Sequence, residues 1–124
     1  MWFKKEMNIY HQIDSKLKSN EIVITNLKKL SENESKVYNL KIENKDNTKQ
    51  KVKVYIVPDA ISNSISNNYI KYQINDSSIK TLNMDGMIII DSIDSLESLE
   101  YNLKLWISDT YLGDSNYLGR VIVL

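Results

Sequence analysis

The chain has 124 residues, which suits one domain and is too short to fill two separate cores. Hydrophobic residues make up 42% and charged residues 26%, and sixteen Lys and Arg offset sixteen Asp and Glu, so no net field steers the chain toward nucleic acid or an anionic membrane. There is no cysteine, which excludes a disulfide framework, a thiolate metal site and a cysteine nucleophile; no apolar run reaches the ~20 residues that span a bilayer.

The opening Met1-Trp2-Phe3-Lys4-Lys5 carries charge but no apolar stretch behind it, and so does not read as a signal peptide. Phe3, Met7, Tyr10, Ile13 and Leu17 recur every three or four positions, which predicts an amphipathic helix over residues 1–20. Such an arm either lies on its own domain or docks on a neighbouring subunit. The five apolar residues are the candidate contacts in the second case.

From residue 21 onward the apolar period becomes two, and residues 21–124 are expected to form one β domain. Ile22 to Thr25 is rich in β-branched side chains. Tyr38, Leu40 and Ile42 alternate with polar neighbours, and after the turn-forming Asn44 to Thr48 the residues Val52, Val54 and Ile56 do the same. This pair reads as two antiparallel strands, the second stopped by Pro58, which has no N–H for a ladder. A polar connection from Ala60 to Asn67 follows, then an alternating run from Tyr69 to Ile74 and a short strand near Ile79 to Leu82.

Asn83 to Gly86 is a turn, and Met87 to Ile90 predicts a strand buried on both faces. Asp91 to Glu100 reads as an acidic loop, or as a single helical turn around Leu96 and Leu99. Tyr101 to Ile107 is the clearest strand, with Tyr101, Leu103, Leu105 and Ile107 inward. A long loop from Asp109 to Gly119 leads to a closing strand from Arg120 to Leu124. The expected fold is all-β: an antiparallel sandwich, jelly-roll or Ig-like with Greek-key-like pairing, preceded by a short helical arm.

Catalytic chemistry finds little to work with. His11 is the only histidine and lies in the arm, away from partners a Ser-His-Asp triad would need. Gly86, Gly113 and Gly119 form no phosphate-cradling motif. Two acidic groupings remain: Asp91, Asp94, Glu97 and Glu100, and the pair Asp109 and Asp114. Hard oxygens of this kind can hold calcium at a loop, although they match no spaced motif and solvated acidic loops are the commoner explanation. Among the aromatics, Trp106 is read as packing. Tyr69, Tyr72, Tyr111 and Tyr117 are candidates for a contact patch, with Tyr111 and Tyr117 singled out because a core explains loop aromatics less easily. No cofactor is implied.

Three stretches, Lys51 to Tyr55, Asn67 to Tyr72, and Tyr101 to Ser108 with Gly119 to Val123, together resemble the TasA/camelysin-like group of secreted β-sandwich surface proteins of Gram-positive bacteria. The resemblance spans residues 21–124. It implies a sandwich exported to the cell surface or matrix, in some members assembled into fibres by a donated N-terminal strand, and it brings no catalytic residues. The expectation is a non-enzymatic structural subunit that self-associates through its arm and strand edges. A phage virion component, such as a decoration or tail-associated Ig-like domain, and a carbohydrate- or protein-binding adhesion module are the alternatives.

Overall fold

A computed structural model describes residues 10–12, 16–29, 35–59, 65–113 and 117–124. They form ten strands: β1 (Tyr10–Gln12), β2 (Leu17–Asn20), β3 (Ile22–Ile24), β4 (Lys36–Asn44), β5 (Gln50–Pro58), β6 (Ile70–Ile74), β7 (Lys80–Thr81), β8 (Met87–Ile93), β9 (Ser98–Ile107) and β10 (Gly119–Val123). A 3-10 turn, Asn67–Tyr69, leads into β6. The strands make two antiparallel sheets, one ordered β1-β2-β4-β9-β6-β7 and the other β3-β10-β5-β8. β1 with β2 and β6 with β7 pair within the larger sheet, whereas β2 and β3, and β4 and β5, are split between the sheets, so the chain crosses repeatedly from one layer to the other.

The two-residue rhythm explains why. Leu40 and Ile42 on β4 and Leu103, Leu105 and Ile107 on β9 point inward from the larger sheet, and Val52, Val54 and Ile56 on β5 point inward from the smaller; none is more than 1% exposed. These residues join one core cluster with Ile24, Leu27, Ile70 and Val123. Full burial of each such side chain stabilises the fold by about 1.5–3 kcal/mol, and only a sandwich-like stacking of the two layers removes both inward faces from water. Pro58 ends β5 as its missing N–H requires.

Three expectations are corrected. The helix over residues 1–20 is not what Tyr10–Gln12 and Leu17–Asn20 form: both are strands, and β2 pairs with β4 from Leu17 opposite Asn44 to Ser19 opposite Ile42. Leu17 and Ser19, two positions apart, are the buried pair, so the three- and four-residue spacing of Tyr10, Ile13 and Leu17 competes with a ladder that satisfies the β4 backbone, and the ladder prevails. Asp91 to Glu100 is not a loop. Strand β8 runs on to Ile93 and β9 starts at Ser98, leaving only residues 94–97 as the turn.

Met87 to Ile90, finally, is not buried on both faces. Ile88 and Ile89 are both buried because the β5–β8 register shifts between Val54 and Tyr55, placing an extra residue in β8, whereas Ile90 is 59% exposed. The turn before β8 depends on Gly86 at φ +78°, where a Cβ would collide with the Ile56 carbonyl.

Polar groups pin the two layers together at one end. Asn44, 2% exposed on β4, donates from its side-chain amide to the carbonyls of Ile93 and Asp94, at 3.0 and 3.1 Å, and to Thr48 at 2.9 Å. Nearby, the Tyr101 hydroxyl on β9 donates to the Asp91 carboxylate on β8 at 2.6 Å. Among the described residues, no helix is long and apolar enough to cross a membrane.

Candidate interaction surface

The residues singled out from sequence are dispersed, and several are core. Phe3, Met7, Ile13 and Asp114 lie outside the described residues, and Tyr10 and His11 belong to the backbone of β1. Leu17 is part of the core cluster, so it is not available as an arm contact. Tyr117 is fully buried and its hydroxyl has no hydrogen-bond partner; burial pushes its pKa up to about 12. Tyr111 packs on Tyr69 with ring centroids 5.1 Å apart, against the edge of the core, and what its loop exposes is Leu112. Tyr72 is also buried. Tyr111 and Tyr117 therefore do not make an aromatic platform. Trp106 is 5% exposed, with the Lys104 ammonium 5.8 Å from its ring centroid.

The acidic residues are engaged separately. The Asp91 carboxylate accepts from the Tyr101 hydroxyl and from the Ser92 N–H at 2.8 Å, and these bonds hold its pKa below the usual aspartate value. A depressed carboxylate pKa adds stability above the unfolded value of about 3.9, which is lost as pH falls through the folded one. Asp94 lies 3.9 Å from Lys49, and Glu100 stands opposite Lys41 across β4 and β9. Among the described residues, no three His, Cys, Asp or Glu side chains converge to hold a metal ion.

Concave features are shallow. A groove of about 280 Å³ runs beside β3 and β10, where Glu21, Asp59 and Arg120 meet. A second, of about 450 Å³, lies on the outer face of the larger sheet between Gln73, Asn75, Asn102 and Lys104. Both are open to solvent. Neither encloses a nucleophile beside a base.

The outward faces differ in character. On the smaller sheet the register sets side chains in rows across the strands: Val23, Arg120 and Val57, then Ile122, Tyr55 and Met87. Reciprocal backbone bonds place Leu124 opposite Lys53, and Lys53 stands opposite Ile90. Val23 and Ile90 are about equally exposed, at 60% and 59%. Seven outward apolar side chains, Leu124 included, thus share a face whose charges are Lys51, Lys53 and Arg120, with no carboxylate on its outward strand positions. On the larger sheet the outward positions are mostly amides and charges, broken by Val37, 64% exposed, and by the buried Trp106; the Asn39 side chain donates to that of Asn102 at 3.3 Å. A patch signal was present in sequence. Val121 to Leu124 and Met87 to Ile90 are apolar without alternation, so some of those side chains had to face out.

No protein-family model matches the chain, and neither a curated protein nor a solved structure is significantly similar to it.

Proposed function

We propose that this chain is a non-catalytic, self-associating structural subunit built on a β-sandwich of jelly-roll or Ig-like type. One observation carries the reading: the outer face of the β3-β10-β5-β8 sheet leaves Val23, Val57, Tyr55, Ile122, Met87 and Ile90 outward, at positions that do not contribute to its own core. Contiguous exposed apolar surface on a small domain marks a contact site, and two such faces can stack at the ~10 Å spacing of packed sheets. Lysine stems can cover apolar surface while their charges stay in water, so Lys51 and Lys53 do not disqualify the face. A setting outside the cell, at a surface or in a matrix, rests on the resemblance of residues 21–124 alone.

Sedimentation velocity across a concentration series, followed by electron microscopy of the concentrated protein, tests this. Association that rises with concentration and falls in Tyr55→Asp supports it. A single monomeric species at every concentration overturns it.

A further inference from the structure

The four sheet edges are not alike. β1 and β3 have three residues each and β7 has two, one of them Lys80, so shortness and charge blunt them. β8 has seven residues, Met-Ile-Ile-Ile-Asp-Ser-Ile, without lysine, arginine or proline, and among the described strands it pairs only with β5. Its free side can be worked out. The N–H and C=O of Lys53 both bond to Leu124 on the β10 side, so the Lys53–Ile90 pair is not hydrogen-bonded, and the backbone groups of Ile90 point away from β5.

We propose that two copies of this chain pair along this edge, β8 antiparallel to β8, with Ile90 opposite Ile90 of the second copy. This deepens the self-association reading above and rests on it. The register follows from what the edge offers. A pairing centred on Ser92 would put at its two-fold axis an N–H that already donates to the Asp91 carboxylate at 2.8 Å, whereas centred on Ile90 that N–H falls only in the flanking pairs with Ile88. A pairing centred on Ile88 falls on the bulge. Centred on Ile90, the two copies exchange reciprocal N–H to C=O bonds and set one exposed isoleucine beside the other. Charge does not oppose it: Lys53 on β5 and its counterpart lie three strand spacings apart, about 14 Å, beyond the ~8–10 Å screening length at moderate salt. Such an isologous contact closes on itself. Its product is a dimer whose smaller sheets join into one eight-stranded layer with a doubled apolar outer face.

The chain has no cysteine, so Ile90→Cys introduces a single thiol. In a directly opposed, hydrogen-bonded antiparallel pair the Cα atoms lie about 5.5 Å apart, within disulfide range. Under mild oxidation Ile90→Cys should form disulfide-linked dimer at least about tenfold faster than the equally exposed Val23→Cys, because pairing raises the effective thiol concentration. Ile90→Lys, with its fold checked by circular dichroism, should weaken dimerisation by about tenfold, since like charges would then face each other across the strands. Equal cross-linking of the two cysteine variants, or an Ile90→Lys chain that sediments as wild type while wild type associates, overturns the edge pairing and leaves self-association standing. A wild-type chain that stays monomeric overturns both. An edge that takes up an unrelated β-forming peptide but not a second copy overturns the proposed occupant.

Discussion

The two sheets follow one rule inward and opposite rules outward. Inward, both are lined with aliphatic residues at alternate positions. Outward, the larger sheet carries Asn39, Lys41, Glu43, Glu100 and Asn102 around a single exposed aliphatic, Val37, while the smaller carries Val23, Tyr55, Val57, Ile90 and Ile122 beside Lys51, Lys53 and Arg120. A sheet with one face on a core and one in water normally alternates apolar with polar, as the larger one does. The smaller sheet keeps apolar groups where its own fold has no use for them. The difference separates positions that hold the domain together from positions that remain for a partner, and substitution can test that division.

The largest effect belongs to the shared inward rule. Leu103→Ala on β9 and Ile56→Ala on β5 each leave a cavity in the common core, and each should cost about 2–5 kcal/mol in urea unfolding. Near-equal losses would mean that the layers are one cooperative unit. A much smaller loss for Ile56→Ala would break the symmetry of the inward faces and make the smaller sheet an accessory layer.

Next come the groups that tie the layers together. Asn44→Ala removes the amide that serves the carbonyls of Thr48, Ile93 and Asp94 from a buried position. Leaving buried acceptors unpaired should cost on the order of 1–3 kcal/mol, measured by the same unfolding series. The neighbouring Tyr101–Asp91 bond lies closer to solvent and contributes less. An Asn44→Ala chain as stable as wild type would mean that apolar stacking alone sets how the sheets meet.

Much of this was legible in the sequence where alternation is strict. Val52, Val54 and Ile56, and Leu103, Leu105 and Ile107, are inward as their period demands. Legibility failed where a tertiary partner decides. Leu17 and Ser19 enter a strand because β4 offers a ladder, and serine at a buried position carries no apolar signal. Asp91 looked like loop because it is acidic, yet it is held in β8 by a bond from Tyr101, ten residues on and in the other sheet. Tyr117 looked like a loop contact because its neighbours are glycines and polar residues. Its ring instead fills the core, close to Gly119 and the end of β5.

Tyr117 also yields the third effect, a gain. Its buried hydroxyl has no partner, so Tyr117→Phe keeps the ring and removes an uncompensated polar group, raising stability by about 1 kcal/mol at neutral pH. The alkaline response should change as well. Burial raises the folded pKa from 10 to about 12, so stability present below pH 10 is lost as pH rises toward 12, while the unfolded chain ionises first. Tyr117→Phe removes that component. Tyr101, whose pKa burial and the Asp91 carboxylate also raise, leaves a residual slope. Thermal unfolding between pH 8 and 11 reads both changes, and an unaltered alkaline slope would place the hydroxyl in contact with water.

The smallest effect on stability is expected at the outward positions, where it separates the two faces most cleanly. Val57→Asp on the smaller sheet and Asn102→Asp on the larger each add one negative charge at an exposed site in the interior of a sheet. Each should change unfolding free energy by no more than about 0.5 kcal/mol, as surface substitutions away from buried networks do. Their effects on association should diverge. A carboxylate at position 57 would stand opposite Arg120, with Tyr55 and Ile122 in the next row, and must still give up hydration whenever that face is covered, so Val57→Asp should shift the sedimentation profile toward monomer. Asn102→Asp lies on a face that is already polar and should sediment as wild type. If Asn102→Asp dissociates the protein and Val57→Asp does not, the contact belongs to the amide-rich sheet, and the outward apolar rows are ordinary surface.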